Sequence, residues 1–278
     1  MKRKDDRKPG ELRPIVARVG VIPRADGSAL FSMGRTTAIA AVYGPREMHP
    51  KRMQSADSAV LKTIYSMAPF STSERVRPGP SRRSHEICKV TRQALEPAVF
   101  LKEFPKAGIY LFINIIEADA GTRTAGINAA SLALADAGIP MRDLVTAAAA
   151  GKVGNDYFLD LEGKEEDETK CDLPIAYMHN EKKITLMQMD GDISPKDARG
   201  VIDAAIKGCE VIYDIQKKAL MEKWGYKKPH AAEKKEPAET GEKAKQAKEK
   251  PAEKKVEPKK AEQKKPAPKK STKKEVKK

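Results

Sequence analysis

The chain has 278 residues, with 54 Lys and Arg against 39 Asp and Glu and a formal charge of +15. Its three cysteines (Cys88, Cys171, Cys209) and four histidines are widely separated. That spacing gives no paired disulfide framework, no zinc-ligand pattern and no local Ser/His/Asp arrangement. No apolar run reaches the ~18 residues of a membrane helix, and nothing hydrophobic follows the charged start, so a cytoplasmic protein without a membrane partner is expected.

Residues 1–10 read as a charged lead-in. Strand signals cover 14–23 and 28–33, joined by the tight turn Ala25-Asp26-Gly27. Residues 36–43 are a third strand, small and apolar enough for burial on both faces, and Gly44-Pro45-Arg46-Glu47 is expected to stop it. The polar segment 48–58, carrying Lys51 and Arg52, reads as a protruding loop, and 59–67 as a fourth strand. A helix is expected over 84–103, with Ile87, Val90, Ala94, Leu95 and Ala98 on one face and a kink or a break near Glu96 imposed by Pro97. A strand at 108–117 and a small-residue helix at 122–137 follow, the helix ended by Gly138 and Pro140. Two or more strands fall between 144 and 161, then an acidic loop, then strands near 173–179 and 183–190. Ser194-Pro195-Lys196-Asp197 opens the last helix with an N-cap, a proline at the first helical position and an acid in the first turn. That helix should end near Trp224. The order predicts an α+β fold, with helices packed on one face of mixed sheets.

From Lys227 onward the composition changes. The last 52 residues hold 20 lysines and 9 glutamates, with no aromatic residue and no Leu, Ile, Met or Phe. With almost nothing apolar to bury, 227–278 is expected to be a disordered tail carrying about +11 of the charge, and 11–226 a nearly charge-balanced folded domain. The tail reads either as an arm that attracts nucleic acid through counterion release or as a solubilising segment.

The most informative stretch is 117–140. A β-branched run from Ile113 to Ile116 leads into Ala120-Gly121-Thr122-Arg123, and a helix leads out. The first N–H groups of a helix are unpaired, so this turn offers free amides, a hydroxyl and a glycine that lets a ligand approach. Arg123 in the first turn opposes the helix dipole; the turn by itself reads as a solvent-facing arginine after a loop glycine, whereas an anion bound there would explain the charge. Ser81-Arg82-Arg83 is a second basic helix start, which by itself reads as a solvated surface; with polyanionic RNA across it, the two arginines have a purpose. Asp172, before Leu173-Pro174, by itself reads as an ordinary aspartate at the start of a strand. Glu165-Glu166-Asp167-Glu168 reads as a solvated charge run.

These features fall in order with others: Gly20-Val21-Ile22 with Ala25 to Ala29, Tyr43 to Glu47, Met67 to Ser71, Ser81 to Arg83 before Glu86-Ile87, and Asp172 to Ala176. Over roughly residues 10–225 the chain resembles the RNase PH family. The helix text Asn128 to Gly138 is most similar to the family's archaeal exosome members. The resemblance implies an RNase PH-like (ribosomal protein S5 domain 2-like) fold of two βαβ-type halves. It implies that Gly121, Thr122 and Arg123 bind inorganic phosphate as co-substrate, that Arg82 and Arg83 contact the 3′ end of single-stranded RNA, and that Lys51 or Arg52 grips RNA at a ring pore. Asp172 would be the catalytic acid, and Glu166 and Asp167 would assist catalysis by holding a hydrated Mg²⁺.

The implied function is a phosphate-dependent 3′→5′ exoribonuclease, the catalytic subunit of a hexameric exosome ring. Its partners would be a related inactive RNase PH-like subunit, forming a trimer of heterodimers, and RNA-binding cap subunits. Nucleoside 5′-diphosphates would be released, and the reverse reaction would add 3′ tails. The alternatives are a non-catalytic RNA-binding ring subunit, which the presence of both anion turn and acid disfavours, and a stand-alone tRNA 3′-trimming enzyme, which the helix text disfavours.

Overall fold

Small and branched residues alternate through the first half and build a five-stranded sheet, ordered β1-β2-β3-β5-β4. Its strands are β1 (Ile15–Val19), β2 (Gly27–Met33), β3 (Thr36–Glu47), β4 (Val60–Met67) and β5 (Ala107–Glu117). The computed structural model describes residues 3, 5–154, 156–163, 165, 169 and 171–225. The tail at 227–278 lies outside them. Neighbouring strands are antiparallel except β4 and β5, which run parallel. A parallel pair needs a crossover, and α1 (Arg82–Leu95) supplies it.

The second half forms a sheet ordered β10-β8-β6-β7, with β9 also paired to β8. Its strands are β6 (Val145–Val153), β7 (Asp156–Leu159), β8 (Cys171–Met178), β9 (Lys183–Met187) and β10 (Asp190–Gly191). Helix α2 (Thr122–Asp136) packs against β2, β3 and β5 of the first sheet and against β6 and β8 of the second. Helix α3 (Pro195–Trp224) covers β6, β7 and β8 and reaches β1.

The residues of α2 explain its central place. Ala, Gly and Ser let both sheets approach closely, and every residue from Thr124 to Leu134 is buried. At its C-terminal end a Cβ on Gly27 would sit 2.2 Å from the Ala137 nitrogen, so β2 abuts the helix backbone there. Two buried polar groups of α2 are spent on the second sheet: Ser131 accepts from the Val145 amide at 2.9 Å, and Asn128 pairs with Ala147. Asn128 donates to the Ala147 carbonyl at 2.8 Å and accepts from the Ala147 amide at 2.9 Å. Gln216 of α3 donates to the same Asn128 oxygen at 3.0 Å.

Several boundaries differ from expectation; the strand expected over 183–190, for one, ends at Met187. Gly44-Pro45 does not stop β3; the strand continues to Glu47 across a register shift between Tyr43 and Arg46. Proline lacks a donor, so it is accommodated at a bulge, while Gly44 donates to Asp26 at 2.8 Å. The helix predicted over 84–103 ends at Leu95, and 96–98 and 101–103 are single 3-10 turns, so the proline break at Glu96 is final rather than a kink. The first strand ends at Val19, where Gly20 takes a positive φ of 74°. Within the charged lead-in, Arg3 is buried. Its guanidinium donates to the carbonyls of Lys8, Glu11 and Leu159 and lies over the Phe158 ring.

Candidate active site

The parallel strands β4 and β5 end side by side, and the loop after β5 becomes the first turn of α2. Ala120 and Gly121 both adopt left-handed backbone there, with φ of 57° and 65°. For alanine this conformation carries strain, and the structure around it is built to hold it. Thr36 Oγ1 donates to the Ala120 carbonyl at 2.6 Å and accepts from the Asp119 amide at 2.9 Å. Arg13 donates from Nη1 to the Asp119 carbonyl at 2.6 Å. At Gly121 a Cβ would fall 3.1 Å from Arg13 Nη2 and 3.3 Å from Thr124 Oγ1, which adds crowding to the positive φ.

Arg13 is 4% exposed and clamps Asp160 with a fork: Nε to Oδ2 at 2.9 Å and Nη2 to Oδ1 at 2.7 Å, with its backbone amide on Oδ2 at 2.9 Å. Asp160 follows β7. One guanidinium therefore ties the turn before α2, in the first half, to the strand end of the second half. Nothing in the spacing of Leu12-Arg13-Pro14 announces this, because the partners are 106 and 147 residues away.

The helix starts differ in how their amides are satisfied. In α1, Ser81 accepts from the Ser84 amide and Ser84 accepts from the Ser81 amide, a reciprocal capping box. In α3, Ser194 accepts from the Asp197 amide. In α2, Gly121 has no side chain to cap with and the first turn carries no acid. Its first-turn amides, uncapped by any side chain, and the positive end of the helix dipole are the kind of terminus that suits an anion.

Arg83, Gly121, Thr122, Arg123 and Asp172 line one pocket of about 60 Å³, with Ala149, Leu161 and Pro174 among its other walls. It shares Arg83, Arg123, Asp172 and Pro174 with an adjoining groove of about 620 Å³ that adds Arg82, Glu86, Gln188, Met189 and Asp190. Of the residues singled out in sequence, six are thus brought together from three elements. Arg123 is not a solvent-facing arginine. It is partly buried, its Nε is sealed from solvent without a hydrogen bond, and its ionic contact to Glu86 is long at 3.9 Å. Arg82 and Arg83 are exposed on the groove wall. Asp172 is half-buried on β8 and stands in register opposite Asp190 of β10. Lys51 and Arg52 lie elsewhere, on an exposed 3-10 turn after β3. Glu166 and Asp167 fall outside the described residues, and among those described no group of three or more His, Cys, Asp or Glu converges as a metal cluster. No helix among the described residues is long and apolar enough to cross a membrane.

A larger groove of about 780 Å³ between the N-terminal segment, β7 and α3 is more apolar and lies away from these residues. It offers neither an uncapped helix terminus nor a converging pair of arginines, so the smaller pocket is the candidate site.

The profile of 3′ exoribonuclease family domain 1 matches residues 11–140, and that of domain 2 matches 143–208. The chain belongs to the RNase PH family of 3′ exoribonucleases. The boundary between the two matched regions falls between α2 and β6, where the first sheet gives way to the second. Curated relatives include the exosome complex component Rrp41 of Methanopyrus kandleri, 52% identical over 223 residues, spanning 80% of this chain and 93% of the relative. The same component of Thermococcus kodakarensis is 54% identical, over 80% and 90% of the two chains. That of Nitrosopumilus maritimus is 47% identical, over 80% and 91%. Among solved structures, rice (Oryza sativa) Rrp46 shares the fold with a TM-score of 0.72 at 24% identity, covering 79% of this chain and all of that one.

Proposed function

We propose that this chain is a phosphate-dependent 3′→5′ exoribonuclease and the catalytic subunit of an exosome ring. The observation that carries the reading is the convergence of an uncapped helix terminus, its arginine and a carboxyl in one small pocket, beside a groove walled by further arginines. The names of the relatives support membership of an exosome complex; within it, three copies would alternate with a related inactive subunit, under RNA-binding caps.

Inorganic phosphate binds at Gly121, Thr122 and Arg123, held by backbone amides, a hydroxyl and a guanidinium fork. Arg82 and Arg83 lay the RNA 3′ end along the groove, and Lys51 or Arg52 grips the strand further from the reaction. A phosphate oxygen attacks the phosphorus of the last phosphodiester, and the bond from that phosphorus to the preceding ribose O3′ breaks. Asp172 gives its proton to the departing O3′, leaving an RNA one nucleotide shorter and a nucleoside 5′-diphosphate. The like charge of bound phosphate disfavours ionisation of a neighbouring carboxyl, which favours its protonated, proton-donating form. Catalysis is otherwise positioning and charge neutralisation. The same steps in reverse add nucleotides to a 3′ end.

Mg²⁺ suits the donor chemistry here, since Asp190 places a second hard carboxylate on the groove opposite Asp172. Asp190 would help hold the hydrated ion, with Glu166 and Asp167 as the further expected ligands. When bound, the ion supplies positive charge to the phosphate oxygens.

The test is product identity. The chain assembled with its ring partner and given RNA, Mg²⁺ and phosphate should release nucleoside diphosphates only when phosphate is present.

A further inference from the structure

Tyr65 extends from β4 toward the first turn of α2 and is 5% exposed. Its backbone amide donates to Cys88 Sγ at 3.1 Å. A Cβ built on Gly126 would lie 3.9 Å from Tyr65 Cε2, so the ring runs along the face of α2 that carries Gly126. Thr122 is four residues earlier on that same face. The phenol oxygen is sealed from solvent and closes no hydrogen bond of good geometry; the Thr122 hydroxyl stands beside it as a loose partner. The charges of Arg83 and Arg123 also act on it. Burial outweighs these and raises its pKa above that of an ordinary phenol, so the group remains a neutral donor.

Packing explains the ring but not the oxygen. Phenylalanine would fill the same space over Gly126 without stranding a polar atom, and a buried hydroxyl without a partner costs stability. Such a group is explained when something completes it. Thr122 lines the anion pocket, and a threonine hydroxyl has one proton to give.

We propose that Tyr65 is a positioning residue for phosphate: its O–H donates to Thr122 Oγ1 when the anion binds, which commits the Thr122 proton to the anion. The inference rests on the phosphorolytic reading for the identity of that anion. Without the phenol, Thr122 can turn its proton elsewhere and the pocket loses one oriented donor.

The test is Tyr65→Phe in the full chain, assembled with its ring partner. The KM for phosphate should rise about fivefold, the worth of one neutral hydrogen bond, while kcat and the KM for RNA stay within about twofold. The thermal midpoint without phosphate should hold or rise, since an unsatisfied buried hydroxyl has gone. A purely structural role would move the opposite pair of readouts. In a Thr122→Val background, which weakens phosphate use by itself, Tyr65→Phe should add nothing. Stabilisation by inorganic phosphate, read as a midpoint shift, should be smaller in Tyr65→Phe than in wild type. An unchanged phosphate KM, additive effects in the double variant, equal phosphate-induced shifts, or a Tyr65→Phe chain that fails to fold would each overturn the inference. Release of monophosphates by wild type would instead sink the phosphorolytic reading, and the phosphate-induced shifts would still decide the role of Tyr65.

Discussion

Arg83 and Arg123 bring the same charge to one pocket from two helix starts, and their surroundings separate their roles. Arg123 sits on amides left unspent by Gly121, whereas α1 satisfies its own first turn through Ser81 and Ser84. Arg123→Lys should therefore raise the phosphate requirement about 10- to 100-fold, since an ammonium cannot reproduce the guanidinium fork. Arg82→Ala with Arg83→Ala should weaken RNA binding and flatten its dependence on log salt by about 1.4, two contacts to a single strand. Phosphate and salt titrations check both, and the opposite pattern would exchange the two roles. Asp172→Asn should lower turnover by roughly 10²–10⁴-fold with RNA affinity nearly intact, because it removes a proton donor and no phosphate contact. Single-turnover rates beside binding isotherms measure this; activity within about threefold of wild type would remove Asp172 from the acid role.

The turn before α2 is only as good as what holds it. Asp160 answers Arg13 from a left-handed position, φ 55°, that asparagine also tolerates, so Asp160→Asn removes the charge and leaves the backbone at ease. Breaking a buried pair strands the guanidinium, which typically costs about 3–5 kcal/mol. In a folded unit of this size each kcal/mol lowers the midpoint by about 2–4 °C, and thermal denaturation should show that loss together with a raised phosphate requirement. This clamp was illegible in the sequence. Periodicity and caps located the helices: Ser194 and Pro195 open α3 as expected, and Pro97 ends α1. The Gly121-Thr122-Arg123 signal was legible because helix-start chemistry is local. Arg13, Asp160, Thr36 and Tyr65 act on that turn across long sequence separations, and no spacing rule reports such partners. The burial of α2 between two sheets was likewise only hinted at by its small residues, since its apolar side chains are spread around the whole helix.

At the scale of the molecule, charge is concentrated where the apolar residues run out. The end of α3 is fastened to α2: Lys223 Nζ and Trp224 Nε1 reach Asp136 at 2.5 and 2.9 Å. Deleting 227–278 should then leave the thermal midpoint and the chemical step unchanged. Capture of long RNA at low salt should weaken, because about +11 of charge is lost, and the difference should shrink as salt rises. An affinity gap that persists at high salt would mean that the segment makes specific contacts. The central claim, that an uncapped helix terminus presents phosphate to the RNA 3′ end, is tested most directly by the nucleotide released from 3′-labelled RNA by the assembled ring in the presence of Mg²⁺. Nucleoside 5′-diphosphates appearing in proportion to added phosphate are the predicted result. Nucleoside monophosphates, or release that ignores phosphate, would contradict it.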